Sequence, residues 1–378
     1  MCCTLNRTVD CGHSRVAGYP NVPIFINDRI PVRRRQNNDV FSRPTFTTTV
    51  QEKMSGRLNN NHAMIDAASM AAARHPSPTA PPCVARDGFE LISRQPIVWD
   101  IDLSHSFGFQ DIVFHKSTAD QCARIAFNRP HVLHAFRPTT IREIQIALED
   151  ATEDARVAVI VLTSMVHPDQ YTPAFCAGGD QTVRTNQGGG YQDGSESQPK
   201  LRVLDLQIQM RRCPKPIMAV VRGYAVGGGH ILHMVADMTL ASQETAVFGQ
   251  TGPRMGSFDA GYGCVQAAAL MGQKKARELW FLSRFYSADQ AVAMGLINAA
   301  YPDAELDGRV AQWTRRMVMN SPTALAACKA ACNAAQDGAA GLVQMGGELT
   351  RLFYHTPEAE EGRRAFLEKR APQFRSKL

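Results

Sequence analysis

The sequence predicts an α/β fold in which short buried strands alternate with amphipathic helices, and three features carry that expectation. Val157 to Thr163 is an unbroken run of Val, Ala, Ile, Leu and Thr bounded by polar residues, as suits a strand covered on both faces. Pro138 to Glu153 opens with Pro and sets Ile141, Ile144 and Leu148 on one side at helical spacing. The same strand and helix grammar then repeats as far as Ser242.

In chain order, Asp111 to His115 and Ala123 to Asn128 read as strands and precede the helix at Pro138. After the Val157 strand come a helix over Leu201 to Arg212, a strand over Ile217 to Val221, a helix over Gly228 to Ala236 and a strand over Met238 to Ser242. From Ser321 the chain is Ala-rich, with Asn320-Ser321-Pro322 as a helix start. Three regions are expected: an extension over 1–85, an α/β core over 86–320 and a helical part over 321–378.

The extension holds eight Pro and ten Lys/Arg against five Asp/Glu, with the run Arg33-Arg34-Arg35 and no sustained periodicity. Such a segment reads as a low-order leader or an organelle-targeting sequence, without the compact apolar stretch of a secretory signal. The remainder then carries 31 basic against 30 acidic residues, so the basic surface of a nucleic-acid binder is not expected. Stretches free of charge, such as Gly223 to Ala236, fall short of the roughly 18 apolar residues of a membrane-spanning helix. Ten Cys without a CxxC pair read as reduced thiols of an intracellular protein. The chain ends Ser376-Lys377-Leu378, the tripeptide read by the peroxisomal import receptor.

Two glycine clusters follow predicted strands, Ala177-Gly178-Gly179-Asp180 and Gly223 through Gly229 before His230. Where a strand turns into a helix, free N–H groups point outward and Gly lets a ligand approach them, so two converging turns could stabilise an oxyanion. Tight turning alone would also account for either cluster. Neither cluster is a GxGxxG fingerprint and no phosphate loop is present, which removes the usual support for nucleotide binding. His230 and His233 share a helical face but lack a carboxylate partner, so no metal site is expected.

In order along the chain, Ala174-Phe175-Cys176-Ala177-Gly178-Gly179-Asp180, Pro214-Lys215-Pro216, Gly223 to Gly229, Phe248-Gly249-Gln250 and Ala293 to Ile297 resemble the enoyl-CoA hydratase/isomerase, or crotonase, superfamily. Within it, Gly178-Gly179-Asp180-Gln181, Gly228-Gly229-His230, Gln250-Thr251-Gly252-Pro253, Gly256-Ser257-Phe258-Asp259 and Leu352-Phe353-Tyr354 are similar to the 1,4-dihydroxy-2-naphthoyl-CoA synthases. The resemblance covers roughly residues 98–378. It implies a spiral of ββα turns with a helical C-terminal part, assembled as trimers that pair into hexamers. The implied reaction is an intramolecular Claisen (Dieckmann-type) closure of o-succinylbenzoyl-CoA on the route to menaquinone or phylloquinone.

By the same resemblance, the N–H groups of Gly179 and Gly228 hold the enolate oxygen, while Ser257, Asp259, Tyr191 and Tyr354 serve the reacting atoms. Tyr354 is expected to act across a subunit interface. Hydratases of the family place Glu where Ile231 and Gly252 stand here, so hydration is not expected. Synthases with Gly at the second place resemble a bicarbonate-dependent type, in which Gln250, Thr251, Gly252 and Trp280 hold bicarbonate as the base. Ala177, Gly178, Asp180, Gln181, Phe366 and Lys369 are implied in substrate binding. Leu133-His134-Ala135-Phe136 replaces the family's Arg-Asn-Ala-Phe, leaving Arg137 or Lys369 to meet the CoA phosphates. The loop from Ser164 to Pro173 is also longer than typical. Two other readings are another acyl-CoA isomerase or hydrolase of this fold and a non-catalytic CoA-thioester binder, both set against the synthase-like motifs. Peroxisomal placement is expected from the C-terminus; the leader would favour plastid or mitochondrion, and a bacterial source the cytoplasm.

Overall fold

A computed structural model describes residues 88–167, 173–185, 190–258 and 261–374, all within the unit spanning residues 76–378. The leader, Asp259 and Ser376-Lys377-Leu378 lie outside the described residues.

The antiparallel strands β1 (Ile101–Asp102), β2 (Ile112–Ser117) and β3 (Cys122–Phe127) lead into helix α1 (Pro138–Glu153). The chain then repeats a unit in which a long strand, a three-residue strand and a helix follow one another. The first is β4 (Val159–Ser164), β5 (Ala174–Cys176) and α2 (Val203–Arg212), interrupted by the small hairpin β6 (Arg184–Thr185) and β7 (Gly190–Tyr191). The second is β8 (Ile217–Val221), β9 (Tyr224–Val226) and α3 (Gly228–Val235), and the third β10 (Met238–Ser242), β11 (Val247–Gly249) and α4 (Gly263–Leu282). Strand β12 (Phe285–Ser287), helix α5 (Ala288–Ala293), strand β13 (Ala299–Tyr301) and helix α6 (Asp303–Val318) complete the core.

The long strands form a seven-stranded sheet of order β1-β2-β3-β4-β8-β10-β13, parallel from β3 onward. The short ones form a second sheet of order β12-β11-β9-β5. Between the elements lies a core that includes Ile125, Phe127, Ile144, Leu148, Ile160, Phe175, Leu232 and Phe248. A smaller cluster under α6 contains Val159, Val161, Val220, Leu240 and Leu306. Because both sheet faces are covered, the strand at Val159 reads as continuously apolar.

Element ends moved by one or two residues for local reasons. The helix expected from Leu201 begins at Val203, because Leu201 accepts a turn hydrogen bond from the Leu204 N–H. The strand expected from Val157 begins at Val159, since the Val157 N–H closes a turn onto Asp154. The first glycine cluster differs in kind: it leads into a single 3₁₀ turn at Gln181–Val183 and the β6–β7 hairpin rather than into a helix.

The C-terminal part is α7 (Pro322–Asp337), α8 (Ala339–Phe353) and α9 (Pro357–Leu367), with Ser321 capping α7 by accepting from the Ala324 N–H. Helix α7 is pinned to the core by polar contacts. The buried Arg211 guanidinium meets Asp337 at 3.0 Å, the Asn333 amide donates to the Arg211 carbonyl, and Lys329 reaches Asp237 at 2.7 Å. Among the described residues, no helix is long and apolar enough to cross a membrane.

Candidate active site

The two glycine turns meet where β5 and β9 end side by side. Gly178, at φ +88°, occupies a left-handed conformation, and a Cβ there would lie 3.0 Å from the Gly228 nitrogen. One turn on, a Cβ at Gly229 would strike the Cys176 carbonyl, so the start of α3 can press against β5 only with Gly at that place.

Each turn offers a peptide N–H without an acceptor among the described residues, at Gly179 in the first and at Gly228, which starts α3, in the second. A trans peptide points its N–H opposite to its C=O, so whatever holds the carbonyl aims the amide. The Gly178 carbonyl accepts from the Phe136 N–H at 2.8 Å, and the Gly227 carbonyl accepts from the Gln250 side-chain amide at 3.2 Å and the Ile231 N–H at 3.1 Å. Each of these two amides is thereby held as a potential donor, and the one at Gly228 stands at the N-terminus of α3 with its partial positive charge. Phe136 packs its ring edge against Gly228, 2.7 Å from where a Cβ would stand. Tyr191 stands over Gly179, with its hydroxyl also 3.4 Å from the Gln181 amide, which donates to the Gly179 carbonyl at 2.8 Å.

On the other side of α3's start lies the turn through Gln250, Thr251 and Gly252. Its loop closes by the Ser257 N–H donating to the Gly252 carbonyl at 2.8 Å. A Cβ at Gly252 would meet nothing nearer than the Ser257 carbonyl at 3.4 Å and the Trp280 ring at 3.7 Å. The backbone thus tolerates a Cβ at this place. Thr251 Oγ1 lies 3.8 Å from the Cβ position of Gly227, which ties this corner to the glycine turns. Trp280 is buried, and its Nε1–H has no acceptor among the described residues.

Electrostatics sort the remaining candidates. Asp180 is buried and its carboxylate is taken up by Arg129 at 3.0 Å and by the Thr182 N–H and hydroxyl, contacts that outweigh burial and hold its pKa below the ordinary range. It anchors the turn and offers no free face to a substrate. Arg137 forks onto Asp111 at 2.7 and 2.9 Å, so its charge is largely engaged within the protein. Burial drives the Cys176 thiol up to about 12, which excludes a thiolate beside Gly178. His230 and His233 are buried and hydrogen-bonded to each other at 3.0 Å, and burial lowers His230 to about 3. No metal cluster occurs among the described residues.

The other expected residues are placed as follows. Tyr354, at the end of α8, is 72% exposed, and Phe366 on α9 is 82% exposed; Lys369 follows just beyond α9. Ala177 sits at the base of the first turn, its N–H donating to the Leu133 carbonyl. Ser257 belongs to the Gly252 turn and is exposed, its hydroxyl only 3.4 Å from the Phe258 carbonyl. Sequence reasoning missed Phe136, Arg129 and Asp111, which brace the first turn; the only available signal was an Arg-Pro step just after a strand. A cavity of about 710 Å³ between α1 and α2, lined by Arg142, Ile146, Glu149, Ile208 and Arg212 among others, shares no residue with the glycine turns.

Comparison with known proteins adds the ancestry. A family model described as enoyl-CoA hydratase/isomerase matches residues 117–377. An enoyl-CoA hydratase subunit I structure from Geobacillus kaustophilus is 28% identical, with 71% of this chain and 99% of that one covered at a TM-score of 0.54. An enoyl-CoA hydratase from Bacillus anthracis is 25% identical, with coverage of 70% and 99% and a TM-score of 0.55. DspI from Pseudomonas aeruginosa, 20% identical with a TM-score of 0.55, shares the fold.

Proposed function

From the chain's membership of the enoyl-CoA hydratase/isomerase family, which acts on acyl-CoA thioesters, we propose that it closes o-succinylbenzoyl-CoA to 1,4-dihydroxy-2-naphthoyl-CoA with loss of water. The observation that carries this reading is the pair of places where the family's hydratases bear Glu. Here one is the buried Ile231 and the other is Gly252, which carries no carboxylate. Water addition lacks its acid and base in such a site, whereas ring closure needs a base, an enolate cradle and a route for the departing oxygen.

The chain's own groups take these parts. The Gly179 and Gly228 N–H groups donate to the thioester oxygen as the α-proton leaves, and such donors each stabilise its developing charge by a factor of about 10² to 10³. The α-carbon then attacks the aryl carboxyl carbon, and Ser257 and Asp259 handle protons on the leaving oxygen. Tyr191 covers the first turn. Tyr354, exposed in its own chain, is presented by the C-terminal helices to the site of a neighbouring copy in the trimer. Thr251 is the donor beside Gly252 suited to hold an anion, the Trp280 ring walls that place 3.7 Å from the Cβ position, and the Gln250 amide fixes the turn by donating to the Gly227 carbonyl. Bicarbonate held there supplies the base.

Turnover followed by product absorbance, first in carbonate-depleted buffer and then with bicarbonate restored, tests this. Turnover that rises on restoration is expected. No turnover in either condition overturns the reaction, and equal turnover in both overturns bicarbonate as the base.

A further inference from the structure

We infer that Arg129 is a positioning residue for the Gly179 amide, an inference that rests on Gly179 receiving the thioester oxygen. Its side chain is only 10% exposed and has three attachments. Nη1 donates to the Ala135 carbonyl, Nη2 meets the Asp180 carboxylate at 3.0 Å, and Nε lies 3.7 Å from Asp111. Ala135 and Asp180 flank a two-bond bridge. The Phe136 N–H donates to the Gly178 carbonyl and the Asp180 N–H donates to the Phe136 carbonyl, both at 2.8 Å. Gly179 sits between those bonds, and its N–H direction follows from the first of them. A single guanidinium therefore clasps both chain segments on which that direction depends.

The clasp is itself held rigid. Asp111 is fixed by the fork from Arg137 and by the Thr140 hydroxyl. Leu133 and His134 both adopt positive φ, at 52° and 57°, and are kept there by the His134 N–H donating to the Arg129 carbonyl and the Arg129 N–H donating to His134 Nδ1. With the guanidinium gone, the Asp111 and Asp180 carboxylates face a vacated space, and the Phe136 bridge loses the tie across it. An oxyanion donor acts over a distance window of only about 0.4 Å, so a small shift of the turn weakens it without unfolding the chain. Lys cannot replace the clasp, because one ammonium on a flexible stem does not reproduce a planar fork.

The test reads carbonyl polarisation directly. Benzoyl-CoA labelled with ¹³C at its carbonyl is bound to the wild type, Arg129→Lys, Arg129→Met and Asp180→Asn, and the thioester stretch is recorded by infrared difference spectroscopy. Lys116→Met, which breaks the buried link of β2 to Asp150 and Asp154 and touches no residue of the turns, serves as a control for lost stability. The wild type and Lys116→Met should move the stretch to lower frequency. The Arg129 variants should lose most of that movement and, on o-succinylbenzoyl-CoA, lose about tenfold or more in kcat with KM changed less than about threefold.

Folded Arg129→Lys with the full carbonyl shift overturns the inference, as does kcat within about twofold of wild type. If Arg129→Met does not fold, Arg129→Lys and Asp180→Asn decide by the same readings. A wild type that polarises benzoyl-CoA yet never turns over o-succinylbenzoyl-CoA removes the proposed reaction and leaves this inference standing. A wild type that leaves the carbonyl unshifted overturns it.

Discussion

Lowering the pH from 8 to 5 should destabilise the protein through His230, and the size of the effect follows from its surroundings. Thr239 Oγ1 donates to the His233 carbonyl at 3.1 Å and so accepts from His233 Nδ1–H; His233 Nε2 then accepts from His230 Nδ1–H at 3.0 Å. His230 Nε2 is left as a buried lone pair without a partner among the described residues, on a ring that packs against Phe248. Adding a proton would bury a charge there, and burial accordingly lowers the pKa from 6.5 to about 3. Between those values the unfolded chain binds the proton and the folded chain does not. Stability is therefore intact above pH 6.5 and is lost progressively as pH falls toward 3. At pH 5 the loss from this one group is about 2 kcal/mol.

Urea unfolding of wild type and His230→Gln at fixed protein concentration isolates that quantity, since Gln keeps a donor toward His233 and does not titrate. The variant is expected to be the less stable at pH 8 and to recover about 2 kcal/mol relative to wild type at pH 5. A gap between the two proteins that is the same at both pH values would refute the reasoning.

Three further outcomes are expected. Gly252→Asp adds a Cβ that meets no atom nearer than 3.4 Å and should raise turnover of o-succinylbenzoyl-CoA in carbonate-depleted buffer; turnover there that stays at the wild-type level contradicts the reading of Gly252 as an unfilled base position. Asp337→Ala leaves the Arg211 guanidinium buried without its partner and should cost about 3 to 5 kcal/mol, seen as faster hydrogen exchange across α7, whereas unchanged exchange would show that the pair does not hold the helix. A fluorescent fusion at the N-terminus should give puncta in eukaryotic cells and lose them when Leu378 is deleted; puncta that survive the deletion rule out the tripeptide as the signal.

The long elements were legible because the helix buries one face at a fixed period and the strands of the covered sheet are continuous apolar runs. The helix at Pro138–Glu153 and the strands at Ile217–Val221 and Met238–Ser242 fall where their apolar spacing puts them. The second sheet was not legible: β5, β9 and β11 have three residues each, too few for a period to register. What marked their ends was glycine, and the fold explains why, since Gly178 and Gly229 sit where two backbones touch. The meeting of the two turns with Thr251, Gly252 and Trp280 could be anticipated only through resemblance. The bracing by Arg129 and Asp180 could not, because an Arg paired across 51 positions leaves no local pattern.

The most direct measurement is the mass of the acyl-CoA after incubation with the purified enzyme and bicarbonate, with o-succinylbenzoyl-CoA and crotonyl-CoA run in parallel. Ring closure predicts an o-succinylbenzoyl-CoA product lighter by one water and crotonyl-CoA unchanged. Crotonyl-CoA made heavier by one water, with o-succinylbenzoyl-CoA intact, would contradict the account.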